Sequence, residues 1–413
     1  MFKALVLLLV LLGFAYDAFT LYLNEAWQRS HDLPDSVRDI YDPQEYSRWR
    51  AYDGEKKRLA LIGSGVNAAV VLFMFAVNGF AWLSSLLPAG EYANAILLMI
   101  VWMVISTLLG LPFQYIDQMK IEEKYGFNRS TKKTFFLDAL KNTLIGIGLY
   151  SGLVAASIAC WHAFGNAFFL VVYGVLAVFL LGMSTFSLTF QKLFNKFEPL
   201  EEGALRARLT DMFAQSGYQL KNIWVMNASK RTTKANAFCA GLGKFKEIVL
   251  YDNLVHEFTE DEIVAVFAHE LTHFRHNDTR HMTVLRVLQF LPMMLLVLLL
   301  AAQPACMAQL GFSSLNFGMV FITVFETLLA PVMTLISIPL AAFSRMQERR
   351  ADAYPASVGL GGALISALKK LARKNFSNLN PHPLNVRLSY DHPPVAERIG
   401  LIRGTAEKNH AKV

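Results

Sequence analysis

The stretch around which this chain is organised is His269-Glu270-Leu271-Thr272-His273. On a helix, histidines at this spacing stand one turn above each other on the same face. Two neutral imidazoles so placed can bind one Zn²⁺ and leave room for a further protein ligand and a water molecule. Glu270, next to the first histidine, is placed to take a proton from that water.

The residues before this motif predict where its helix begins. Thr259 and Glu262 form the T-x-x-E pattern of a capping box, and an apolar run starts at Ile263. The motif therefore lies in mid-helix, where its spacing brings the side chains together.

Composition places this helix in a membrane protein. Of the 413 residues, 54% are hydrophobic and 17% are charged, which is too apolar for an ordinary soluble enzyme. Residues 59–119, 142–191 and 287–344 contain no Lys or Arg, and each stretch is long enough for two spans of about 20 residues. With the apolar run 4–23, the sequence predicts seven transmembrane helices.

The distribution of positive charge predicts the orientation of these helices. Lys and Arg are frequent in the connections 29–58 and 120–133 and after residue 191, whereas the hairpin tips near 89–91, 162–166 and 303–317 have none. The N-terminus is then outside, and the large loops and the C-terminus are cytosolic. The net charge of +7 is mainly this orientation signal, and a nucleic-acid partner is not expected. Asp17 and the lack of a small-residue cleavage site favour an uncleaved first span.

The expected fold is mainly α, a polytopic membrane protein whose cytosolic protease region contains a small β-sheet. Residues 1–191 hold spans one to five and 192–281 the cytosolic region with the metal helix; 282–344 hold spans six and seven, and 345–413 a second cytosolic region. Helical periodicity covers 201–215, and strand-like runs cover 223–226, 236–240 and 247–251, with a turn at 241–244. From its residues alone, the polar segment 121–131 is predicted to be a solvated connector with one turn.

A third metal ligand is expected further along the chain. Glu348 and Asp352 are four apart and share a helical face, so Glu348 can reach the metal while Asp352 accepts the free N–H of a ligand histidine. Asp278 competes for that second role. Without the upstream motif, a surface face paired with Arg349 and Arg350 would be the simpler interpretation. The three cysteines contain no C-x-x-C pair, so a disulfide framework or a thiolate zinc site is not supported.

Two further sites suggest substrate handling. Asn236-Ala237-Phe238 could supply an exposed sheet edge on which a peptide adds as a strand, although an ordinary half-buried strand fits nearly as well. His392, restricted by Pro393 and Pro394, could donate a hydrogen bond to an oxyanion. A surface loop histidine is the alternative there, and His382 competes for the role.

Together these segments resemble the type I CAAX prenyl endopeptidases, which are seven-span zinc metalloproteases. The resemblance rests on motifs that occur in the family's order along nearly the whole chain: Glu122-Glu123-Lys124-Tyr125-Gly126-Phe127-Asn128, Asn236-Ala237-Phe238, His269-Glu270-Leu271-Thr272-His273, Glu348-Arg349-Arg350-Ala351-Asp352 and His392-Pro393-Pro394-Val395-Ala396-Glu397-Arg398-Ile399. It implies one zinc ion per chain held by His269, His273 and Glu348, with Glu270 as general base. It also implies that Asn236 and His392 hold the substrate and stabilise the transition state, and that the spans enclose a chamber.

The resemblance implies a peptide or protein substrate, prenylated in the eukaryotic members. This chain has short outside hairpins and no C-terminal retrieval signal, so we expect a bacterial inner membrane rather than the endoplasmic reticulum. Membrane-protein quality control would then be the natural task. A zinc transporter is the alternative function, because Asp17, Arg286 and Glu326 within the spans suit a pore as well as a chamber. An intramembrane protease is disfavoured, since polar residues follow the motif directly and no L-D-G sequence occurs.

Overall fold

The structure is a computed structural model that describes residues 1–185, 192, 195–217, 219–230, 232–240 and 245–410. The turn predicted at 241–244 lies outside the described residues, as does the end of the fifth predicted span.

The first half of the chain consists of long apolar helices. They are α1 Phe2–Ser30, α2 Pro43–Ala76, the short α3 Gly79–Ser85, α4 Glu91–Ile116, α5 Lys132–Phe164 and α6 Phe168–Thr185. The sequence predicts two spans within 59–119, but the first of these helices, α2, already starts at Pro43 and ends at Ala76. It ends there because Asn78 adopts the left-handed conformation (φ 54°), which breaks the helix before α3.

The apolar stretch Lys132–Met183, 52 residues long, forms two crossings rather than one. As a single helix it would measure about 78 Å, against a hydrocarbon core of about 30 Å. Gly165 divides it, since its φ of +53° permits the turn between α5 and α6, which pack against each other. The six apolar helical stretches among the described residues therefore give the predicted seven passes.

The metal motif lies in the region after α6. This region contains β1 Phe197–Pro199, α7 Ala204–Gln215, β2 Gln219–Met226, β3 Ala237–Ala240, β4 Phe245–Tyr251, α8 Asp252–Glu257 and α9 Glu260–Arg275. The sheet order is β1-β2-β4-β3, with β2 and β4 parallel and the other pairs antiparallel. The structure confirms the three predicted strands. It also contains β1, which the sequence did not predict because this strand is only three residues long.

One apolar core joins the sheet to the metal helix. On α9, Ile263, Phe267 and Leu271 are fully buried, and they pack with Ile248 of β4 and Phe213 of α7. This side of α9 is therefore fixed by hydrophobic burial. The opposite side of α9 therefore remains available for its two histidines.

The remaining helices return through the membrane and cover α9. They are α10 Asp278–Leu288, α11 Phe290–Ala301, α12 Pro304–Gln309, α13 Phe317–Thr323, α14 Leu329–Ser357, α15 Gly361–Lys374, α16 Pro383–Ser389 and α17 Val395–His410. A π-helical turn, Val324–Leu328, joins α13 to α14. Because α14 continues past the membrane and packs against both α9 and α17, it carries its C-terminal end to the metal helix.

The chain ends and hairpin tips show how the helices are arranged. The N-terminal amine donates to Gln309 Oε1 at 2.9 Å, and Lys3 Nζ donates to the carbonyl oxygen of Ala76 at 2.7 Å. At the other end of α1, Trp27 Nε1 donates to Asn380 Oδ1 at 3.0 Å. The tips also contact one another, since His162 Nε2 lies 2.6 Å from Glu91 Oε2 and Asn316 Nδ2 donates to Asn94 Oδ1 at 2.9 Å. The N-terminus and the tips without positive charge thus gather at the end of α1 opposite to Trp27.

The polar groups predicted within the spans face other helices or cavities. Trp102 Nε1 donates to Glu326 Oε1 at 2.8 Å, Ser64 Oγ donates to Asp17 Oδ2 at 2.8 Å, and Arg286 lines a cavity of about 180 Å³. A larger cavity of about 670 Å³ lies between α1, α2 and α4. The helices therefore leave open clefts between them.

Close approach of α4 and α13 makes Gly318 sensitive to substitution. A Cβ at this position would lie 2.2 Å from the carbonyl oxygen of Ala95, so the two helices would have to separate. We expect Gly318→Ala to lower the free energy of unfolding by about 1–3 kcal/mol, seen as a reduced melting temperature in detergent. Gly148→Ala is the matched control, because nothing lies within 4 Å of its Cβ position. Equal melting temperatures for the two variants would contradict the close packing.

Candidate active site

The metal helix α9 has the predicted capping box. Glu262 N donates to Thr259 Oγ1 at 3.3 Å, and Thr259 N donates to Glu262 Oε2 at 2.8 Å. The Glu262 carboxylate also accepts hydrogen bonds from Ser366 at 2.6 Å and Lys370 at 2.7 Å, both on α15. The start of α9 is thereby tied to the C-terminal region as well as closed by its own cap.

Three potential ligand groups converge beside α9. The Nε2 atoms of His269 and His273 are 3.2 Å apart, and they lie 3.4 Å and 3.3 Å from the two carboxylate oxygens of Glu348. One ligand atom from each residue falls within 4.8 Å of the others. Glu348 comes from α14, after the seventh membrane crossing, and its side chain is buried. The interpretation of Glu348 and Asp352 as a surface face is therefore wrong.

These groups fit a metal ion. The buried Glu348 Oε2 accepts no hydrogen bond within the described residues, and a buried carboxylate oxygen without a partner is costly. Two imidazole nitrogens and a carboxylate are also the donor set of a catalytic zinc site, which leaves a position for water. The arrangement can therefore hold a divalent cation.

Each histidine of the motif is oriented by its own carboxylate. His269 Nδ1 lies 2.9 Å from Asp352 Oδ1, and His273 Nδ1 lies 2.9 Å from Asp278 Oδ2. The sequence left Asp352 and Asp278 as alternatives for accepting the free N–H of a histidine. In the structure each of them lies at hydrogen-bond distance from one histidine. Hydrogen bonds at Nδ1 leave the Nε2 lone pairs directed toward Glu348.

The electrostatics of the site favour positive charge at the two histidines. Burial lowers the pKa of His269, but the hydrogen bond to Asp352 and the nearby Glu348 carboxylate outweigh this and raise the pKa to about 9. Burial also lowers the pKa of His273, but the Glu348 carboxylate outweighs this effect and raises the pKa. The carboxylates that raise these pKa values would equally stabilise a bound cation, whose binding must displace any proton from Nε2.

The third predicted site also reaches the centre. His392 Nε2 is 3.3 Å from Glu348 Oε1, and His392 Nδ1 is 2.9 Å from Asp391 Oδ1. The His392 side chain is exposed, and its hydrogen bond to Asp391 raises the pKa of His392. His382 lies elsewhere: its Nδ1 accepts from Leu384 N at the start of α16, and its ring contacts Trp27. The structure therefore separates the two histidines that the sequence left in competition.

A cavity of about 170 Å³ lies in front of these groups. It is lined by residues from four predicted segments, among them Asn236, Ala237, Glu270, Glu348 and His392. Glu270 is half-buried and Asn236 is exposed. Asn236 directly precedes β3, which lies at the end of the sheet and whose Ala237 and Phe238 are half-buried, so features of both alternatives left open by the sequence are present. Within the described residues β3 pairs with β4 alone, so its other edge borders the cavity that contains the metal motif.

Arg398 is a residue of the site to which the sequence assigned no role. It donates from Nε and Nη2 to both oxygens of Asp352, at 2.8 Å and 2.7 Å, and its Nη2 lies 3.7 Å from Glu348 Oε2. Bidentate pairing of this kind fixes the carboxylate that orients His269. Its position in the motif after His392 was the only available signal, because a contact between α17 and α14 cannot be read from spacing.

Family comparisons agree with this geometry. Residues 24–196 match the CAAX prenyl protease N-terminal domain, described as five membrane helices, and residues 199–406 match peptidase family M48. The first matched region contains four of the first five crossings, since most of α1 precedes residue 24, and the second region contains the metal motif.

Relatives and a solved structure match over nearly the whole length. The chain is 30% identical over 393 residues to the CAAX prenyl protease 1 homolog of Oryza sativa subsp. japonica, covering 91% of both chains. It is 27% identical over 425 residues to CAAX prenyl protease 1 of Saccharomyces cerevisiae, covering 96% of this chain and 94% of the relative. The crystal structure of S. mikatae Ste24p superposes with a TM-score of 0.87 at 25% identity, covering 97% and 98% of the two chains. The resemblance seen in the motifs is confirmed, and the zinc-transporter alternative gains no support.

Proposed function

The chain belongs to peptidase family M48 and is a membrane-embedded metalloendopeptidase, and we propose that His269, His273 and Glu348 hold its catalytic ion and that this ion is zinc. The observation that carries the assignment is the convergence of these three side chains, together with a buried Glu348 oxygen that accepts no hydrogen bond from the described part of the chain. Metal analysis of the purified protein tests it: one zinc per chain is expected, and a stoichiometric amount of another metal would contradict it.

The roles of the protein groups in peptide hydrolysis follow from their positions. A zinc ion in this site would act as a Lewis acid and lower the pKa of a water molecule toward about 7. Glu270 takes the proton of the attacking water and delivers it to the amine of the leaving peptide. His392, whose pKa is raised beside Asp391, donates a hydrogen bond to the oxyanion that develops on the scissile carbonyl.

The substrate is proposed to bind in extended form along β3. Its backbone would pair with the free edge of Ala237 and Phe238, while the amide of Asn236 holds it over the cavity. Edge pairing supplies affinity through main-chain hydrogen bonds and tolerates different side chains. This mode therefore suits an endopeptidase with several substrates.

The orientation and membrane are also proposals. With the uncharged tips outside, the active site and the C-terminus face the cytosol. The described outside connections are short, which supports a bacterial inner membrane and a task in membrane-protein quality control, although the relatives named above are eukaryotic. Cysteines introduced at residues 88 and 303 are expected to react with a label added outside intact cells. A cysteine at residue 408 is expected to react only after the cells are permeabilised. Labelling of residue 408 in intact cells, with labelling of residues 88 and 303 only after permeabilisation, would contradict the proposed orientation.

The requirement for a lipid group divides two substrate classes. The relatives are named prenyl proteases, whereas quality control requires cleavage of unmodified chains. Purified protein should be given matched farnesylated and unmodified peptides with an internal quencher pair. We expect both to be cleaved in a zinc-dependent manner. Cleavage of the farnesylated peptide alone would exclude the quality-control task, and no cleavage of either would contradict the proposed function.

The carboxylates that orient the histidines should control metal affinity. We expect Asp352→Asn and Asp278→Asn each to weaken zinc binding by about 10–100-fold, because the Nδ1 hydrogen bonds that orient the imidazoles become weaker. Competition with a chromogenic chelator measures this. Asp261→Asn on the exposed side of α9, where Asp261 pairs with Arg208, is the matched control. Wild-type affinity in both site variants would show that the hydrogen bonds play no part.

A further inference from the structure

The segment 121–131 is docked against the protease region, so the prediction of a solvated connector is wrong. Ile121 and Tyr125 are buried, and Gly126, with φ +84°, allows a tight turn closed by Phe127 N, which donates to the carbonyl oxygen of Glu122 at 2.7 Å. Phe127 and Tyr125 pack in one aromatic group with Tyr52 of α2 and Phe376. Hydrophobic burial thus holds the segment in a single conformation.

The outer side of this segment contacts residues 232–234, just upstream of the substrate-binding edge. Asn128 forms an antiparallel bridge with Thr232, and Thr233 Oγ1 donates to the carbonyl oxygen of Gly126 at 3.4 Å. Lys234 Nζ lies 5.3 Å from the centre of the Phe127 ring and 3.8 Å from Glu122 Oε2. The ammonium is therefore attracted both by a carboxylate and by an aromatic face.

The Glu122 carboxylate is itself fixed from the membrane side. Its Oε1 accepts hydrogen bonds from Tyr52 at 2.6 Å and from Lys56 at 2.7 Å, both on α2. The Glu122 side chain is 14% exposed, and that of Lys234 is 37% exposed. Because Glu122 Oε1 accepts hydrogen bonds from Tyr52 and Lys56 of α2, Oε2 remains available to pair with Lys234.

The other side of residues 232–235 is held by the protease region. Asn253 Nδ2 donates to the carbonyl oxygens of Thr232 and Lys234 at 3.0 Å and 3.2 Å, and Asn375 Nδ2 donates to that of Ala235 at 3.4 Å. These bonds hold the backbone on one side, and the Lys234 side chain holds it on the other, at Glu122 in the π-helical turn Asp117–Glu122 that follows α4. Asn236, two residues on, lines the cavity with Glu270 and His392.

We propose that Lys234 is a positioning residue: its ammonium, held by Glu122 and Phe127, sets the place of Asn236 and the edge of β3 for the substrate backbone. Glu122 and Phe127 thereby act as the support of the substrate strand, and they link the ends of the membrane helices to peptide binding. This inference rests on the proposed function.

The experiment uses the full-length protein in detergent with a quenched peptide. Lys234→Met should raise KM about two- to fivefold with kcat, zinc content and melting temperature unchanged, because strand pairing is lost equally from ground and transition states. Lys234→Arg should restore the wild-type KM. The matched control is Lys124→Met, because the exposed Lys124 ammonium pairs with Glu55 of α2 rather than with Glu122. An unchanged KM in Lys234→Met, or an equal rise in Lys124→Met, would overturn the proposal.

A double-mutant cycle tests the contact itself. Glu122→Gln should raise KM in the wild-type background and add nothing further in the Lys234→Met background, since the pair acts as one unit. Fully additive effects would overturn the proposal. Failure of the wild-type protein to hydrolyse peptide would instead contradict the proposed function, so the two failures are distinguishable.

Discussion

Glu270→Gln is expected to abolish peptide hydrolysis while leaving the metal in place. The amide has nearly the shape of the carboxylate but cannot take a proton from water. Since Glu270 lines the cavity beside His269 without belonging to the convergent ligand group, its loss should not disturb metal binding. We expect kcat to fall by a factor on the order of 10³, with KM little changed.

Zinc content and quenched-peptide kinetics measured on the same preparation check this expectation. Glu260→Gln is the matched control, because Glu260 lies in the exposed first turn of the same helix. The control should keep both zinc and activity. Turnover by Glu270→Gln at the wild-type rate would show that another group accepts the proton.

Glu348→Ala is expected to lose both the metal and the activity. Its carboxylate is the one potential ligand that does not come from α9, and its removal leaves two imidazoles to hold the ion. The fall in zinc affinity should exceed the roughly 10–100-fold loss expected for the orienting aspartates. Activity should fall with zinc occupancy and recover in part at high zinc concentration.

The control for this substitution lies on the neighbouring helix. Glu397→Ala removes an exposed carboxylate of α17 that pairs with Arg349 and should retain zinc. Melting temperatures of both variants, measured with and without zinc, separate loss of the ligand from loss of the fold. One zinc per chain and wild-type kinetics in Glu348→Ala would refute the ligand assignment.

Much of the architecture was predictable because its causes are local. Membrane crossings depend on the length of an apolar run, and the capping box depends on two residues three apart, so both are written into contiguous sequence. The strands around Ile223, Phe238 and Val249 were predicted for the same reason. The limits of α2 were not, since Asn78 breaks that helix inside an apolar run where hydropathy gives no signal.

Within the site, the sequence predicted which residues could take part, but not which of them contact each other. It left Asp352 and Asp278 as rivals, and the structure gives each its own histidine. It assigned Arg398 no role, although this residue holds Asp352. These pairings depend on how α14 and α17 pack against α9, and no spacing along the chain encodes that.

By itself, then, the sequence determined the membrane passes, the metal helix and the identity of the groups able to bind a metal, because hydropathy, helical periodicity and residue chemistry act over one helix or less. Only the tertiary structure decided that Glu348 meets His269 and His273, and that the segment around Glu122 supports Lys234 rather than lying in solvent. Such contacts join residues far apart in the chain, and they form only when burial of the intervening helices brings the elements together.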